Sequence, residues 1–167
     1  MNSTEVSVVV TGSAWLGSGT GSVESALYDM LGEATREVVV TAYSVTSGAN
    51  SVLSWTKDVL DRGISTTLVI NRLDTQRADV VSRLKQLAGE YNYFYLYDFV
   101  APAGADLHAK CVVVDRKVAL VGSSNLSWRG LVTNHELALL LRGEAATSVA
   151  AAIDKLLSSR LVIRVGQ

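Results

Sequence analysis

A histidine and a lysine stand two residues apart in Leu107-His108-Ala109-Lys110-Cys111-Val112-Val113-Val114-Asp115, and a small polar cluster, Gly122-Ser123-Ser124-Asn125, follows Val121. Along an extended strand side chains alternate faces, so His108 and Lys110 are expected to point the same way. If the chain reverses at Asp115 to Lys117, hairpin register sets Lys110 opposite Gly122 and His108 opposite Ser124, to within about one residue. Ser123 and Asn125 then lie beside the pair. An imidazole able to attack phosphorus, an ammonium, and neutral donors for charged oxygens are the groups a phosphodiester requires. Gly122 leaves room for a phosphate to approach the backbone. A lone histidine on an apolar strand is ordinarily a core residue. A polar His and Lys on one face of a run of valines, with Gly, Ser and Asn at matching depth across a hairpin, point instead to chemistry.

Such a pair has to be carried by a sheet, and the pattern supplies one. Short β-branched runs predict strands over Val6–Thr11, Glu37–Ala42, Ser65–Ile70, Tyr93–Tyr97, Leu107–Val114, Val118–Gly122 and Glu136–Leu141. Amphipathic stretches predict helices over Ser22–Ala34, Ser51–Asp61, Thr75–Ala88 and Glu144–Leu157, the third ending before Gly89. Alternation of the two in the first half, followed by a tight strand pair, predicts an α/β fold: a mixed sheet flanked by helices on both faces, in a single domain spanning residues 1–167. The glycine-rich segment Leu16–Ser22 lacks the Gly-Lys-Ser/Thr ending of a phosphate loop and reads as a turn. The run Tyr91–Tyr97 alternates like a strand with one aromatic face, which reads as core.

Composition narrows the function classes. With 49% hydrophobic and only 19% charged residues, the chain has apolar surface to spare, which suggests a well-buried sheet, a subunit interface, or both. The net charge of -1 removes the electrostatic argument for strong non-specific nucleic-acid binding and leaves room only for a local basic patch. No apolar run approaches the roughly 20 residues a transmembrane helix needs, and no leader pattern is evident, so a cytoplasmic protein is expected. The single cysteine, Cys111, excludes an internal disulfide and a multi-cysteine metal site. No cluster of carboxylates and histidines suggests a metal, and no cofactor is expected.

The pattern H-x-K-x(4)-D-x(6)-G-S-x-N, complete here as His108, Lys110, Asp115, Gly122, Ser123 and Asn125, resembles the signature of the phospholipase D superfamily. Asn134-His135-Glu136 downstream is similar to that family's N-x-E element. The resemblance implies a metal-independent phosphodiesterase. His108 would attack phosphorus and become phosphorylated, Lys110 and Asn125 would bind the non-bridging oxygens, and Ser123 would assist. Glu136 would accept a hydrogen bond from the second nitrogen of His108. Asp115 belongs to the motif, but alternation puts it on the opposite strand face from Lys110, at the turn, so it is expected to hold the hairpin. Trp128 and Arg129 either bind substrate, by stacking on a base and contacting a phosphate, or serve structure, Trp128 in a subunit interface and Arg129 on a carboxylate.

A phosphohistidine mechanism requires a second group to protonate the leaving oxygen. The motif occurs once, and the only other histidine, His135, precedes Glu136 and so faces the opposite side of a strand from it. The expected solution is a homodimer in which two copies of His108 share one active site, as in short single-motif members of the family. Nucleic acid is the expected substrate. The alternatives are a phospholipase or phosphatidyl transferase acting on lipid, and a non-catalytic subunit of a DNA-repair or phage-defence assembly.

Overall fold

The structure, a computed structural model, describes residues 3–15, 17, 19–46, 50–102, 104–127 and 129–166, the side chains of residues 50–52 excepted. In chain order the strands are β1 (Glu5–Thr11), β2 (Gly21–Ser22), β3 (Glu37–Ala42), β4 (Ser65–Asn71), β5 (Phe94–Phe99), β6 (Cys111–Val114), β7 (Val118–Gly122), β8 (Glu136–Arg142) and β9 (Val162–Arg164). The helices are α1 (Val23–Glu33), α2 (Asn50–Asp61), α3 (Ala78–Glu90) and α4 (Glu144–Leu157).

The strands form one mixed sheet in the order β2-β1-β8-β7-β6-β3-β4-β5-β9. Parallel pairing joins β3, β4 and β5, while β6, β7 and β8 run alternately antiparallel between β3 and β1. The central strands β3 and β4 are built almost wholly of aliphatic residues and threonine, mostly buried, because both of their faces are covered. One face carries α1, α2 and α3, whose Leu27, Met30, Leu60, Leu84 and Leu87 are fully buried. Each such side chain contributes roughly 1.5–3 kcal/mol. The other face is covered by α4, where the small Ala146 and Ala150 let the helix lie close to Val113 and Ala119. Ser22 caps α1, its hydroxyl accepting the Ser25 amide at 3.0 Å. Among the described residues no helix is long and apolar enough to cross a membrane.

The expected α/β architecture with helices on both faces is therefore present, with most element boundaries shifted by one to four residues and two strands added. Strand β6 begins at Cys111 rather than Leu107, so His108 and Lys110 lie in the irregular segment just ahead of it. The cause is the partner: β3 ends at Ala42, its Thr41 pairing with Cys111, and offers no backbone further on. Helix α3 runs through Gly89 to Glu90. Strands β2 and β9 are additions, β9 sealing the outer edge of β5 by antiparallel pairing.

Strand direction decides where chemistry can occur. Strands β1, β3, β4, β5 and β7 all end at one edge of the sheet, where β6 and β8 begin. In open α/β sheets that carboxyl-end edge is where ligands bind. Here it gathers the turn after Thr11, the loop after Ala42, the turn after Asn71, and the segments on either side of the β6–β7 hairpin.

Candidate active site

The β6–β7 hairpin has the expected register. Cys111 pairs with Val121 and Val114 with Val118, and the Gly122 amide donates to the Lys110 carbonyl at 3.2 Å, which carries the pairing one residue beyond the strand. At its tip Asp115 and Arg116 both have positive φ, 51° and 59°, as the central residues of a type I′ turn must, and the Lys117 amide donates to Val114 at 2.9 Å.

His108 and Lys110 come together at the open end, although not through strand alternation. The Lys110 ammonium lies 3.2 Å from Nδ1 of His108 and donates to the carbonyl of His108 at 2.9 Å. The segment that carries them is held by side chains rather than by a strand partner. Buried Asn71, the last residue of β4, accepts the Leu107 amide at 2.8 Å and donates to Asp106 at 3.2 Å. Arg72 reaches the same Asp106 oxygen at 2.8 Å. These two contacts hold the Asp106 carboxyl below its ordinary value. Partial burial lowers the Lys110 pKa, and the charge of Glu136 opposes the shift.

Across the hairpin the polar cluster divides. The Ser123 hydroxyl donates to Glu136, and the other Glu136 oxygen accepts the Asn134 amide group at 3.1 Å. The structure thus does not bring Glu136 to His108. Strand β8 lies two strands from β6, roughly 9–10 Å at the usual spacing, and Ser123 at the end of the intervening strand takes the carboxylate first. Ser124 Oγ and Asn125 Oδ1 are buried and, among the described residues, without a hydrogen-bond partner, a state that native structures seldom tolerate without a ligand or water. Gly130 allows the Asn125 backbone to sit where a side chain would be, 2.5 Å from the position a Cβ would occupy.

Gly122 requires a correction. A Cβ there would lie 2.4 Å from the Cβ of Ala138 and 2.7 Å from the Leu137 carbonyl, so the space it leaves is filled by β8 and not by a phosphate. The cavity behind Lys110, Gly122 and Ser124 is about 20 Å³, too small for a phosphodiester. A reacting phosphate would have to sit at the outer mouth, where His108 and Ser123 are exposed.

Asp115 stands at the opposite end of the hairpin from the His108–Lys110 pair. Its carboxylate accepts the amides of Thr35, Arg36 and Glu37 at 3.0, 2.8 and 2.9 Å and the Thr35 hydroxyl at 2.7 Å. Burial disfavours its charge, but these four donors outweigh that and hold its pKa down at about 2. Asp115 ties the hairpin tip to the start of β3 and does not line the site. Arg116 reinforces the tip by bridging Glu37 at 2.8 Å and Asp154 at 2.6 Å.

His135 is committed elsewhere. Its Nε2 accepts the Ala14 amide at 3.1 Å, and its ring leans on Trp15 with centroids 5.6 Å apart. Arg129 is exposed at the start of a π-helical turn, Arg129–Thr133, and among the described residues no carboxylate pairs with it. Trp128 lies outside the described residues. No group of three or more His, Cys, Asp or Glu side chains gathers to hold a metal ion among the described residues.

Sequence reasoning passed over Tyr43, whose ring packs against His108, and over Asn71 and Gln76, which anchor the surrounding loops. The only available signal was the position of these residues at or just past the ends of β3 and β4.

Comparison with known proteins supports this fold. The chain has a TM-score of 0.73 to Nuc from Salmonella typhimurium, described as a phospholipase D family member, at 18% identity over 99% of this chain and 100% of that one. NucT from Helicobacter pylori gives 0.73 at 17% identity over 98% and 100%. Phosphatidylserine synthase from Haemophilus influenzae Rd KW20 gives 0.74 at 14% identity over 99% of this chain and 41% of that one. In sequence, the chain is 29% identical over 118 residues to the DISARM protein DrmC of Bacillus paralicheniformis, a match that takes in 70% of this chain and 48% of that protein, so it spans about half the relative's length. Residues 27–159 match the family described as "Cardiolipin synthase, PLD-like domain", a span that runs from α1 past the end of α4 and holds the whole hairpin. A sequence match of that extent, on a sheet that superimposes over nearly the full chain, makes this protein a member of the phospholipase D superfamily.

Proposed function

We propose that the chain is a metal-independent nuclease that cleaves phosphodiester bonds through a phosphohistidine on His108, in a site shared by two copies of the chain. The observation that carries the reading is the imidazole of His108 beside the Lys110 ammonium, 3.2 Å from it, at the exposed carboxyl-end edge of the sheet. That ammonium is turned back onto His108, toward both its ring and its carbonyl. An incoming phosphate draws it onto a non-bridging oxygen and leaves the imidazole free to react. A nitrogen of His108 then forms a bond to phosphorus as the bond to the leaving oxygen breaks. Lys110, with Asn125 and Ser123, holds the charged oxygens.

The leaving oxygen needs a proton, and the resulting phosphohistidine needs an activated water. The chain has two histidines, and His135 is held by Ala14 and Trp15. His108 of a second copy therefore gives the first proton as imidazolium. Once neutral, it takes a proton from the water that attacks phosphorus and breaks the N–P bond. A docking face of the right kind lies next to the site. Val6 and Val8 of β1 and Leu137 and Leu139 of β8 are 54%, 48%, 47% and 37% exposed, on the part of α4's sheet face that the helix does not reach, and Leu137 directly follows Glu136. Arg129, exposed beside Asn125, is available to a neighbouring phosphate.

The decisive measurement incubates labelled DNA, RNA and phosphatidylcholine with the protein in EDTA, with His108→Ala in parallel. Nucleic acid should be cut by the wild type alone and the lipid left intact. Cleavage of phosphatidylcholine only would move the substrate to lipid, and an active His108→Ala would remove the mechanism. A second reading, in which the chain acts as a non-catalytic component of a larger assembly, predicts the opposite outcome: binding of nucleic acid without cleavage would select it.

A further inference from the structure

Tyr43 follows β3 at the site edge. Its ring lies 4.6 Å from the imidazole of His108, centroid to centroid, at an interplanar angle of 56°, and the Lys110 ammonium stands over the same ring at 5.4 Å. Both distances fall within the ranges over which aromatic pairs and cation–π contacts attract. One ring thus forms a common wall for the proposed nucleophile and its cation.

The wall is itself held firmly. Gln76, just past the short 3-10 turn Leu73–Thr75, donates to the Tyr43 carbonyl at 3.3 Å and to the Asn71 carbonyl at 2.9 Å, and accepts the Val45 amide at 3.1 Å. Asn71 meanwhile holds the Leu107 amide. The loop bearing Tyr43 and the segment bearing His108 are therefore fastened to the same end of β4, which fixes one relative to the other although neither belongs to a strand.

We propose that Tyr43 is a positioning residue for His108 and Lys110, with Gln76 and Asn71 as its brace. His108 is exposed and lies outside regular structure, so its imidazole has several rotamers open to it. The Tyr43 ring excludes those that would swing the imidazole toward β3 and keeps the reacting nitrogen aimed at the mouth where phosphorus arrives. The face of the ring carries negative potential, so it also retains the ammonium at the same depth. This role rests on the reading of His108 as nucleophile.

The test is steady-state cleavage by Tyr43→Leu, Tyr43→Phe and Gln76→Ala, beside His108→Ala. Misplacing a reacting group lowers kcat by about 10- to 100-fold, and Tyr43→Leu should do so with KM nearly unchanged. Tyr43→Phe keeps the ring and should restore most of kcat, and Gln76→Ala should give a smaller loss of the same kind. Proton NMR provides a readout independent of turnover. The imidazole signals of His108, assigned against His135→Ala, should be displaced by the Tyr43 ring current in the wild type and in Tyr43→Phe, and should return to ordinary positions in Tyr43→Leu. Undisplaced signals in the wild type, full kcat in a folded Tyr43→Leu, or a Tyr43→Phe as impaired as Tyr43→Leu would each overturn the proposal. Should Tyr43→Leu fail to fold, the wild-type signals and Gln76→Ala decide. An active His108→Ala would instead remove the parent reading, whereas a dead His108→Ala beside a normal Tyr43→Leu removes only this one.

Discussion

Asp115 is a motif residue whose work is done far from the His108–Lys110 pair, and its ionisation makes that measurable. Its folded pKa, about 2, lies below the ordinary 3.8, so the stability it contributes is present in full above the ordinary value and is lost as the pH falls through about 2. The gap corresponds to about 2 kcal/mol. Urea denaturation should show Asp115→Asn less stable by about that amount at neutral pH, with a flatter dependence on acid than the wild type. Equal acid slopes in the two proteins would mean that the clasp on Thr35, Arg36 and Glu37 contributes little. His135 offers the complementary case. His135→Ala should loosen the turn after Thr11, by removing the acceptor for Ala14, yet leave cleavage largely intact. Loss of turnover in that variant, with the fold preserved, would reinstate His135 as the missing acid.

The hairpin of β6 and β7 depends on β8 approaching closely at Gly122. Gly122→Ala would place a methyl against Ala138 and the Leu137 carbonyl, and thermal unfolding should report a cost of ~1–3 kcal/mol, the usual range for overpacking. Combining it with Ala138→Gly should recover part of the loss; simple additivity would show that the two sites do not touch. Register of this kind was legible in the sequence, because a three-residue reversal, Asp115 to Lys117, between valine runs leaves little choice, and β3, β7 and α4 have the predicted bounds. The start of β6 was not legible, since the His-x-Lys alternation continues past the point where β3 stops offering backbone. Gly89 misled because an exposed glycine in α3 costs only about 1 kcal/mol, which buried Leu84 and Leu87 offset. Tyr43, Asn71 and Gln76 carried no local mark. Parallel pairing of β3 with β4 and antiparallel pairing of β3 with β6 bring them to His108, and that order of strands is a property of the assembled sheet.

At the scale of the whole molecule the apolar strip of β1 and β8 is what the high hydrophobic content left on the outside. Val8 and Leu139 are paired neighbours within it, so Leu139→Arg should cost a dimer its interface while leaving the monomer folded. Light scattering would show the change in mass, and cleavage should fall with it; a folded, fully active monomer would end the shared-site reading. A mixed dimer of wild type and His108→Ala should likewise fall well below half activity. The strands also differ in what opening them requires. Amides of Cys111 to Val114 are enclosed between β3 and β7 and should exchange with solvent deuterium only through large-scale unfolding, whereas those of His108 to Lys110 should exchange in seconds to minutes. The segment from His108 to Lys110 can then breathe on its own timescale without the sheet giving way. A bound phosphate would slow that exchange locally, so the fastest amides on the hairpin become a reporter of occupancy that needs no turnover at all.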